Sequence, residues 1–126
     1  MDRIIINTTN APAPIGPYNQ AVLAGETLYI SGQVCIDPKT GELNNKDLQT
    51  EVHQVMHNLR AILLAAGMDF NHTVKTTIFI TDMNRFGEVN EVYGKYFNGD
   101  FPARETVQVS ALPKFVNVEI SMIAVK

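Results

Sequence analysis

The sequence predicts an α+β domain in which two helices cover one face of a mixed β-sheet. Short runs rich in β-branched residues are interleaved with two longer segments whose apolar residues recur every three or four positions. The order of these segments is β-β-β-α-β-α-β-β, which fits two helices packed on the same side of a sheet. No repeat or low-complexity tract divides the 126 residues, so residues 1–126 are expected to form a single domain.

The first three strands are short. Arg3 to Ile6 is a β-branched run, and the proline- and alanine-rich stretch from Ala11 to Pro17 is typical of a shaped loop. Strands over Ala21 to Ala24 and Leu28 to Ser31 flank Gly25-Glu26, a pair suited to a hairpin turn.

The first helix has the clearest pattern in the chain. From Val52 to Ala66 the apolar residues follow helical spacing, with Asp47 or Asn45 as the N-cap and Gly67 as the stop.

The second half repeats the alternation of strand and helix. A strand is predicted over Val74 to Ile80, and helical spacing then runs from Phe86 to Phe97 and ends near Gly99. Strands over Thr106 to Ser110 and Val118 to Val125 complete the domain.

The sheet face turned away from the helices is also predicted to be apolar. Alternation assigns four apolar residues to it: Tyr29, Phe79, Ile123 and Val125. An exposed apolar patch of this kind marks a partner surface, and a closed homo-oligomer is the common result. A homo-oligomer is therefore expected from the pattern alone.

Two isolated charges lie near the C-terminus. Alternation in the last strand sends Glu119 away from the helices. The same counting turns Val107 and Val109 to the core. It leaves three residues on the face of Glu119: Arg104, Thr106 and Gln108.

Two interpretations of Arg104 and Glu119 remain open at this point. They could form an interfacial salt bridge or lie on a solvated edge, because buried charges need a partner. Alternatively, Arg104 is an anion receptor whose planar fork matches a carboxylate, held by the stiff backbone of Pro102-Ala103. Small carboxylates are then the candidate ligands.

Composition excludes several other classes of protein. The net charge of −3, without a Lys/Arg cluster, argues against nucleic acid, and no apolar run is long enough to span a membrane. One cysteine, Cys35, and an N-terminus without a secretory apolar region predict a cytoplasmic protein. His53 and His57 have the spacing of zinc ligands but lack a third ligand, so no metal is expected.

Seven short motifs, taken in order, resemble the RidA/YjgF family of reactive-intermediate deaminases. The motifs are Gly16-Pro17-Tyr18-Asn19-Gln20-Ala21, Ser31-Gly32-Gln33, Val74-Lys75-Thr76-Thr77, Val89-Asn90-Glu91-Val92-Tyr93, Pro102-Ala103-Arg104, Ala111-Leu112-Pro113-Lys114 and Val118-Glu119-Ile120. The resemblance implies a chorismate-mutase-like subunit in a homotrimer with clefts between subunits. It also implies hydrolysis of 2-enamine and 2-imino acids, such as 2-aminoacrylate, to 2-keto acids and ammonia. No metal or organic cofactor is implied.

The resemblance also assigns roles to individual residues. Arg104 would hold the substrate carboxylate, Glu119 would orient or activate the attacking water, and Tyr18 would line the cleft. The other cleft residues that it implies are Ser31, Gly32 and Asn90. Many relatives have Ser-Cys after the Pro-Ala-Arg motif, where this chain has Glu105-Thr106. Thr106 could serve through its backbone carbonyl, with its hydroxyl as an added hydrogen-bonding group, while Glu105 should alternate to the opposite side of the strand.

Two other functions compete with the deaminase. A non-catalytic trimer could use the same Arg104 to bind small 2-keto or amino acids as a sensor or regulatory protein. A ribonuclease or translation inhibitor is the third candidate, and the acidic charge balance weighs against it.

Overall fold

The computed structural model of the protein describes residues 2–126 and contains one six-stranded sheet and two α-helices. The elements are β1 (Arg3–Ile6), β2 (Ala21–Ala24), β3 (Thr27–Gln33), α1 (Leu48–Ala65), β4 (Thr73–Ile80), α2 (Phe86–Gly94), β5 (Ala103–Gln108) and β6 (Val118–Val125). The predicted order of strands and helices is confirmed.

The strands lie in the order β1-β2-β3-β6-β4-β5. All neighbours are antiparallel except β4 and β5, which are parallel because α2 carries the chain back over the sheet between them. Strand β4 therefore separates β5 from β6. The expectation that a hairpin would place Glu119 roughly opposite Gln108 is wrong, since Glu119 pairs with Phe79 of β4.

The predicted ends of α1 are confirmed. Of the two candidate N-caps, Asp47 caps the helix, because its Oδ1 accepts a hydrogen bond of 2.7 Å from the Thr50 amide. Gly67 follows the helix at φ +72°, a conformation that glycine adopts without steric cost, and the Met68 amide then donates to the Leu63 carbonyl.

Helix α2 is shorter than its apolar spacing predicts. It ends at Gly94, and the amides of Lys95, Tyr96 and Phe97 then donate to carbonyls three residues earlier. These tighter turns still bring Phe97 onto the core, with its ring centroid 4.9 Å from that of Tyr93. The apolar spacing thus continues past the point where the α-helix stops.

Both helices pack on one face of the sheet, as predicted. Buried residues of α1 and α2, such as Met56, Leu59 and Val92, form one core with Ile78 and Ile120 of the central strands. The other face carries the predicted residues Tyr29, Phe79, Ile123 and Val125. No element of the described chain covers them, which leaves an apolar surface open.

The predicted orientation of β5 is wrong. In the register of the sheet Arg104 pairs with Thr76 and Thr106 pairs with Ile78, both on the helix side, so Arg104 and Thr106 lie on that face. Val107 instead pairs with Phe79, which also pairs with Glu119, and its side chain is 45% exposed on the open face. Because β5 is an edge strand, its helix-side positions reach the margin of the core and accept polar residues there.

Candidate functional site

Arg104 is held by three side chains of helix α2. Its Nη1 donates a 2.7 Å hydrogen bond to the Asn90 Oδ1. Its guanidinium carbon lies 5.3 Å from the ring centroid of Phe86 and 5.2 Å from that of Tyr93. A guanidinium has five N–H donors, and within residues 2–126 only one bond from this group is formed. The helix therefore orients Arg104 and leaves donors for an anion.

A cavity of about 320 Å³, here called the Arg104 cavity, opens beside this guanidinium. Its walls are Asn90, Tyr93, Gly94, Phe101, Pro102 and Arg104. One fixed cation among mostly apolar walls is the usual composition of a small-molecule site. Burial raises the pKa of Tyr93, whose hydroxyl donates to the Thr76 Oγ1 at 3.0 Å, so this wall stays uncharged.

Glu119 lies on the opposite face of the sheet, against the backbone of β3. A Cβ atom added to Gly32 would meet the Glu119 Cδ at 2.7 Å, so only glycine permits this approach. Burial raises the pKa of the Glu119 carboxylate, and no hydrogen bond within residues 2–126 offsets this shift. The group is therefore a stronger base than an exposed glutamate.

A second, smaller cavity of about 60 Å³ contains Glu119 and is here called the Glu119 cavity. Tyr18, Gly32 and Lys114 contribute to its lining. Much of the remaining wall is apolar: Pro12, Ala13, Ile15, Val34, Ile36 and Pro113. A carboxylate with a raised pKa in a largely apolar recess suits proton transfer.

Gln20 fixes the loop that carries Tyr18. Its buried side-chain oxygen accepts from the Thr8 amide at 2.8 Å, and its Nε2 donates to the carbonyls of Thr8, Ala11 and Pro12. Sequence reasoning gave Gln20 no role, although it lies within the motif that contains Tyr18.

Ser31 ties the same loop to β3. Its Oγ donates a 2.6 Å hydrogen bond to the Asn19 carbonyl, and its amide donates to the Gln20 carbonyl. The Ser31 hydroxyl thus bonds to the loop, and the residues of this motif that line the Glu119 cavity are Gly32 and Gln33.

Glu51 of helix α1 is a second residue that sequence reasoning missed. It is completely buried, and its carboxylate accepts from the Asn117 amide, the Asn117 side chain and the Val118 amide at 2.8, 2.8 and 2.9 Å. These bonds hold the two residues that precede Glu119. The sequence signal for this role is the position of Glu51 directly before Val52, where the apolar stripe of the helix begins.

Glu105 and Thr106 lie on opposite sides of β5, as alternation predicts, but each lies on the face opposite to the predicted one. Glu105 lies on the open face, with its Oε1 3.5 Å from the Lys75 Nζ. The Thr106 hydroxyl is buried and has no hydrogen-bond partner within the described residues. It therefore does not open into the Arg104 cavity in the single chain.

The other candidate residues have ordinary structural contacts. His53 Nδ1 lies 2.7 Å from the Tyr96 hydroxyl, and the rings of His53 and His57 are 6.2 Å apart. Burial lowers the pKa of His57, and electrostatic interactions with Arg60 and His53 lower it further. Burial, together with a smaller electrostatic effect of Glu51, raises the pKa of the Cys35 thiol to about 11. Cys35 is therefore not a thiolate nucleophile near neutral pH.

The structure therefore divides the predicted site residues into two groups. Asn90 and Arg104 line the Arg104 cavity, with Thr106 farther along the same strand. Tyr18, Gly32 and Glu119 line the Glu119 cavity, with Ser31 behind them. Because the sheet separates the two groups, one chain does not bring Arg104 and Glu119 together.

The chain matches known proteins over nearly its whole length. The model of the family described as endoribonuclease L-PSP matches residues 8–126. A 2-iminobutanoate/2-iminopropanoate deaminase of Mus musculus is 54% identical over 124 residues, which cover 98% of this chain and 92% of the mouse protein. A RutC family protein of Pyrococcus horikoshii is 52% identical over 122 residues, or 97% of each chain.

Solved structures agree with the sequence matches. The E. coli YjgF gene product has a TM-score of 0.94 and 45% identity, and E. coli TdcF with bound serine has a TM-score of 0.94 and 43% identity. Each alignment covers 98% of both chains. No helix among residues 2–126 is long and apolar enough to cross a bilayer. Family model, sequence identity and fold agree, and the chain belongs to the endoribonuclease L-PSP family, the RidA/YjgF family that its motifs resemble.

Proposed function

We propose that the protein hydrolyses small 2-imino acids to 2-keto acids and ammonia, in clefts shared between the subunits of a homotrimer. The observation that carries the proposal is the separation of Arg104 and Glu119 onto opposite faces of one sheet, each in its own cavity. An anion receptor and a base of one reaction can then meet only where two copies adjoin. The open apolar face supplies a surface for that contact.

Arg104 would bind the substrate carboxylate in this cleft. Its unused N–H donors form a fork that matches two carboxylate oxygens, and Asn90 with the flanking aromatic rings holds that fork in place. The relative TdcF was solved with bound serine, an amino acid whose carboxylate such a fork would recognise.

Glu119 would activate the water. Its carboxylate accepts a proton from water as the oxygen attacks the imine carbon, and the pair of electrons of the C=N bond moves to nitrogen. After proton transfer to that nitrogen the C–N bond breaks, ammonia leaves and the carbonyl forms. The pKa of Glu119, raised by burial, makes it a more effective base near neutral pH. No atom is oxidised or reduced in these steps, and proton transfer by Glu119 and water is sufficient for them.

The remaining residues would shape the cleft. Gly32 leaves room for the Glu119 carboxylate, Ser31 holds the adjoining loop, and Tyr18 of that loop closes one side. Thr106 would contribute through its backbone carbonyl, because its hydroxyl is buried away from the Arg104 cavity.

A non-catalytic carboxylate-binding trimer is the main alternative. It would need Arg104 but not a basic Glu119, so the raised pKa of Glu119 favours turnover over binding alone. The family model's description names an endoribonuclease, while the net charge of −3 gives the chain no general attraction for phosphates. Nuclease activity that survives stringent purification and disappears in Arg104→Ala would favour that function instead.

The experiment mixes two inactive variants. Arg104→Ala and Glu119→Gln chains are unfolded together in equal amounts, refolded, and assayed with 2-aminoacrylate generated in situ by a PLP-dependent dehydratase. If each cleft takes Arg104 from one copy and Glu119 from the next, every mixed trimer regains one intact cleft. Because about three quarters of randomly assembled trimers are mixed, about a quarter of the wild-type activity should return.

The controls are the two variants refolded separately, each of which should stay inactive. A mixture no more active than these controls would contradict the shared cleft. Should wild type itself not accelerate imine loss, yet bind 2-oxobutyrate by calorimetry in an Arg104-dependent way, the binding protein would replace the deaminase.

A further inference from the structure

The turn before β6 contains two consecutive residues in a left-handed backbone conformation. Lys114 has φ 56° and Phe115 has φ 55°, and neither is glycine. This conformation brings Cβ close to the backbone and is disfavoured for every residue except glycine, most strongly for bulky ones. An aromatic residue at such a position is therefore an outlier.

The surrounding structure holds this turn in place from both sides. Leu112 before it and Val116 after it are buried, and the Phe115 amide donates to the Leu112 carbonyl at 2.9 Å. Glu51 then clamps Asn117, whose carbonyl also accepts from the Thr81 amide. Strained conformations persist where neighbouring contacts over-determine them, and such places are often functional sites.

Phe115 gains no burial in return for this strain. Its side chain is 88% exposed, the highest value among the large apolar residues of the described chain that are exposed. A single exposed apolar side chain is ordinary on a protein surface. Within its own chain the Phe115 side chain therefore gains no burial that would offset the disfavoured backbone conformation.

The turn that carries Phe115 adjoins the Glu119 cavity. Pro113 and Lys114 line the Glu119 cavity, and Phe115 follows them directly in the chain, outside the wall that a single chain forms. The apolar patch on the open face belongs to different residues, those of β3, β4 and β6. With about 60 Å³ and a largely apolar wall, the Glu119 cavity has room for a short aliphatic group.

We propose that Phe115 is a specificity-determining residue whose ring forms the apolar wall against the side chain of the 2-imino acid. This rests on the proposed function, because it assumes that substrate lies between Arg104 and Glu119. The ring favours short aliphatic side chains, such as ethyl, and restricts branched ones, such as isobutyl. The strained turn fixes the backbone of Phe115 directly after two residues of the cavity wall, and the hydrogen bonds of Glu51 to Asn117 and Val118 fix the chain that follows.

The test compares kcat/KM for the imines with ethyl and isobutyl side chains, formed in situ by an amino-acid oxidase. In Phe115→Gly the preference for the ethyl substrate should fall about tenfold, the effect of losing one close apolar contact in a pocket. Phe115→Leu should lie between Phe115→Gly and wild type. Leu64→Ala, which truncates another exposed apolar residue on α1, should keep the wild-type preference. An unchanged preference in Phe115→Gly overturns the proposal.

Folding and assembly are checked in the same samples. Glycine accepts a positive φ, so Phe115→Gly should unfold at the same temperature as wild type or higher, and a change in preference then does not reflect unfolding. Light scattering after size exclusion measures the assembly. Dissociation of the Phe115→Gly protein would mean that the ring packs on a neighbouring copy, which also overturns the proposal.

A binding assay separates failure of the specificity proposal from failure of the proposed deaminase function. If wild type turns over neither imine, the two keto acids 2-oxobutyrate and 4-methyl-2-oxopentanoate are titrated by calorimetry. A preference for 2-oxobutyrate that falls about tenfold in Phe115→Gly supports the specificity role of the ring without catalysis. An equal preference in both proteins excludes it.

Discussion

Gly32 and Glu119 lie so close together that a methyl group cannot be placed between them: a Cβ on Gly32 would be 2.7 Å from Cδ and 2.9 Å from Oε1 of Glu119. The β3 backbone therefore forms the floor under the carboxylate. Any side chain at residue 32 must displace Glu119, although the strand itself can accommodate it, since Gly32 does not need a positive φ.

Gly32→Ala is expected to lower kcat by one to two orders of magnitude, because a displacement of about 1 Å costs up to about 10²-fold in rate. KM should change less, since Arg104 lies in the other cavity. Gly87→Ala in α2 is the matched control, because an added Cβ there meets no atom within 4 Å. A Gly32→Ala enzyme with wild-type kcat would contradict the proposed position of the base.

The pH dependence of the enzyme should reflect the raised pKa of Glu119. Water activation requires the ionised carboxylate, so kcat should fall as pH decreases through a pKa above the ordinary glutamate value of 4.5. The pH profile of kcat measures this pKa in the substrate complex. An acid limb with its midpoint at or below 4.5 would exclude Glu119 as the base.

Glu119 should make the free energy of unfolding fall as pH rises, whereas it makes kcat rise. Because the folded pKa is raised, the folded chain retains the Glu119 proton more readily than the unfolded chain. Its contribution to stability is fully present below pH 4.5 and is lost as pH rises through the folded pKa. In Glu119→Gln that decline should disappear, as measured by urea unfolding at fixed protein concentration from acidic to neutral pH.

Arg104→Lys should lose most activity, because a single ammonium cannot replace a planar fork that binds two carboxylate oxygens. We expect kcat/KM to fall by about 10-fold to 100-fold, as for the loss of about 1.5–3 kcal/mol of charged hydrogen bonding. Arg60→Lys is the control, since Arg60 stacks on Tyr96 and Phe70 away from both cavities. Full turnover by the Arg104→Lys enzyme would exclude bidentate binding.

Thr106→Val should stabilise the protein by about 1 kcal/mol, because it removes a buried hydroxyl that lacks a partner. Thr76→Val, on the neighbouring strand, removes a hydroxyl that accepts from Tyr93 and should destabilise by about 1–3 kcal/mol. Chemical denaturation of both variants measures the contrast. Activity should persist in Thr106→Val if the residue acts through its carbonyl, and a large loss would assign the role to the hydroxyl.

Glu51→Ala should destabilise the protein by about 3–5 kcal/mol, because it leaves the buried Val118 amide and the two partly buried amides of Asn117 without an acceptor. Glu51→Gln keeps one acceptor oxygen and should lose less. The exposed Glu91 provides the control, and Glu91→Ala should stay within about 0.5 kcal/mol of wild type in urea unfolding. Equal stability of the Glu51→Ala and Glu91→Ala proteins would exclude the clamp.

Much of the fold depends on signals that lie close together in the chain. The caps of α1 at Asp47 and Gly67 act on backbone groups within a few residues of themselves, so the sequence predicts the helix well. Alternation along β6 likewise assigns Glu119 to the open face, because every residue of the opposite face, Val118, Ile120, Met122 and Ala124, is apolar and buried.

In the strand that carries Arg104, the local pattern of apolar and polar residues does not predict the correct face. Strand β5 lies at the edge of the sheet, where Arg104 contacts polar and aromatic side chains along α2. Its inward residues therefore need not be apolar, and the apolar residue Val107 indicates the wrong face. Likewise, the apolar spacing after Gly94 continues without the helix, because tight turns keep Phe97 on the core. In both places packing decided what the local pattern left ambiguous.

The family, the order of the elements, the apolar open face and the residue types of the site could all be inferred from the sequence. Three features required the packed fold: Arg104 and Glu119 lie on opposite faces, Glu51 binds a segment 66 residues away, and Gly32 makes room for a carboxylate from another strand. The difference is one of distance along the chain. Caps and alternation act over a few residues, whereas register, burial and close approach arise only when distant strands pack together.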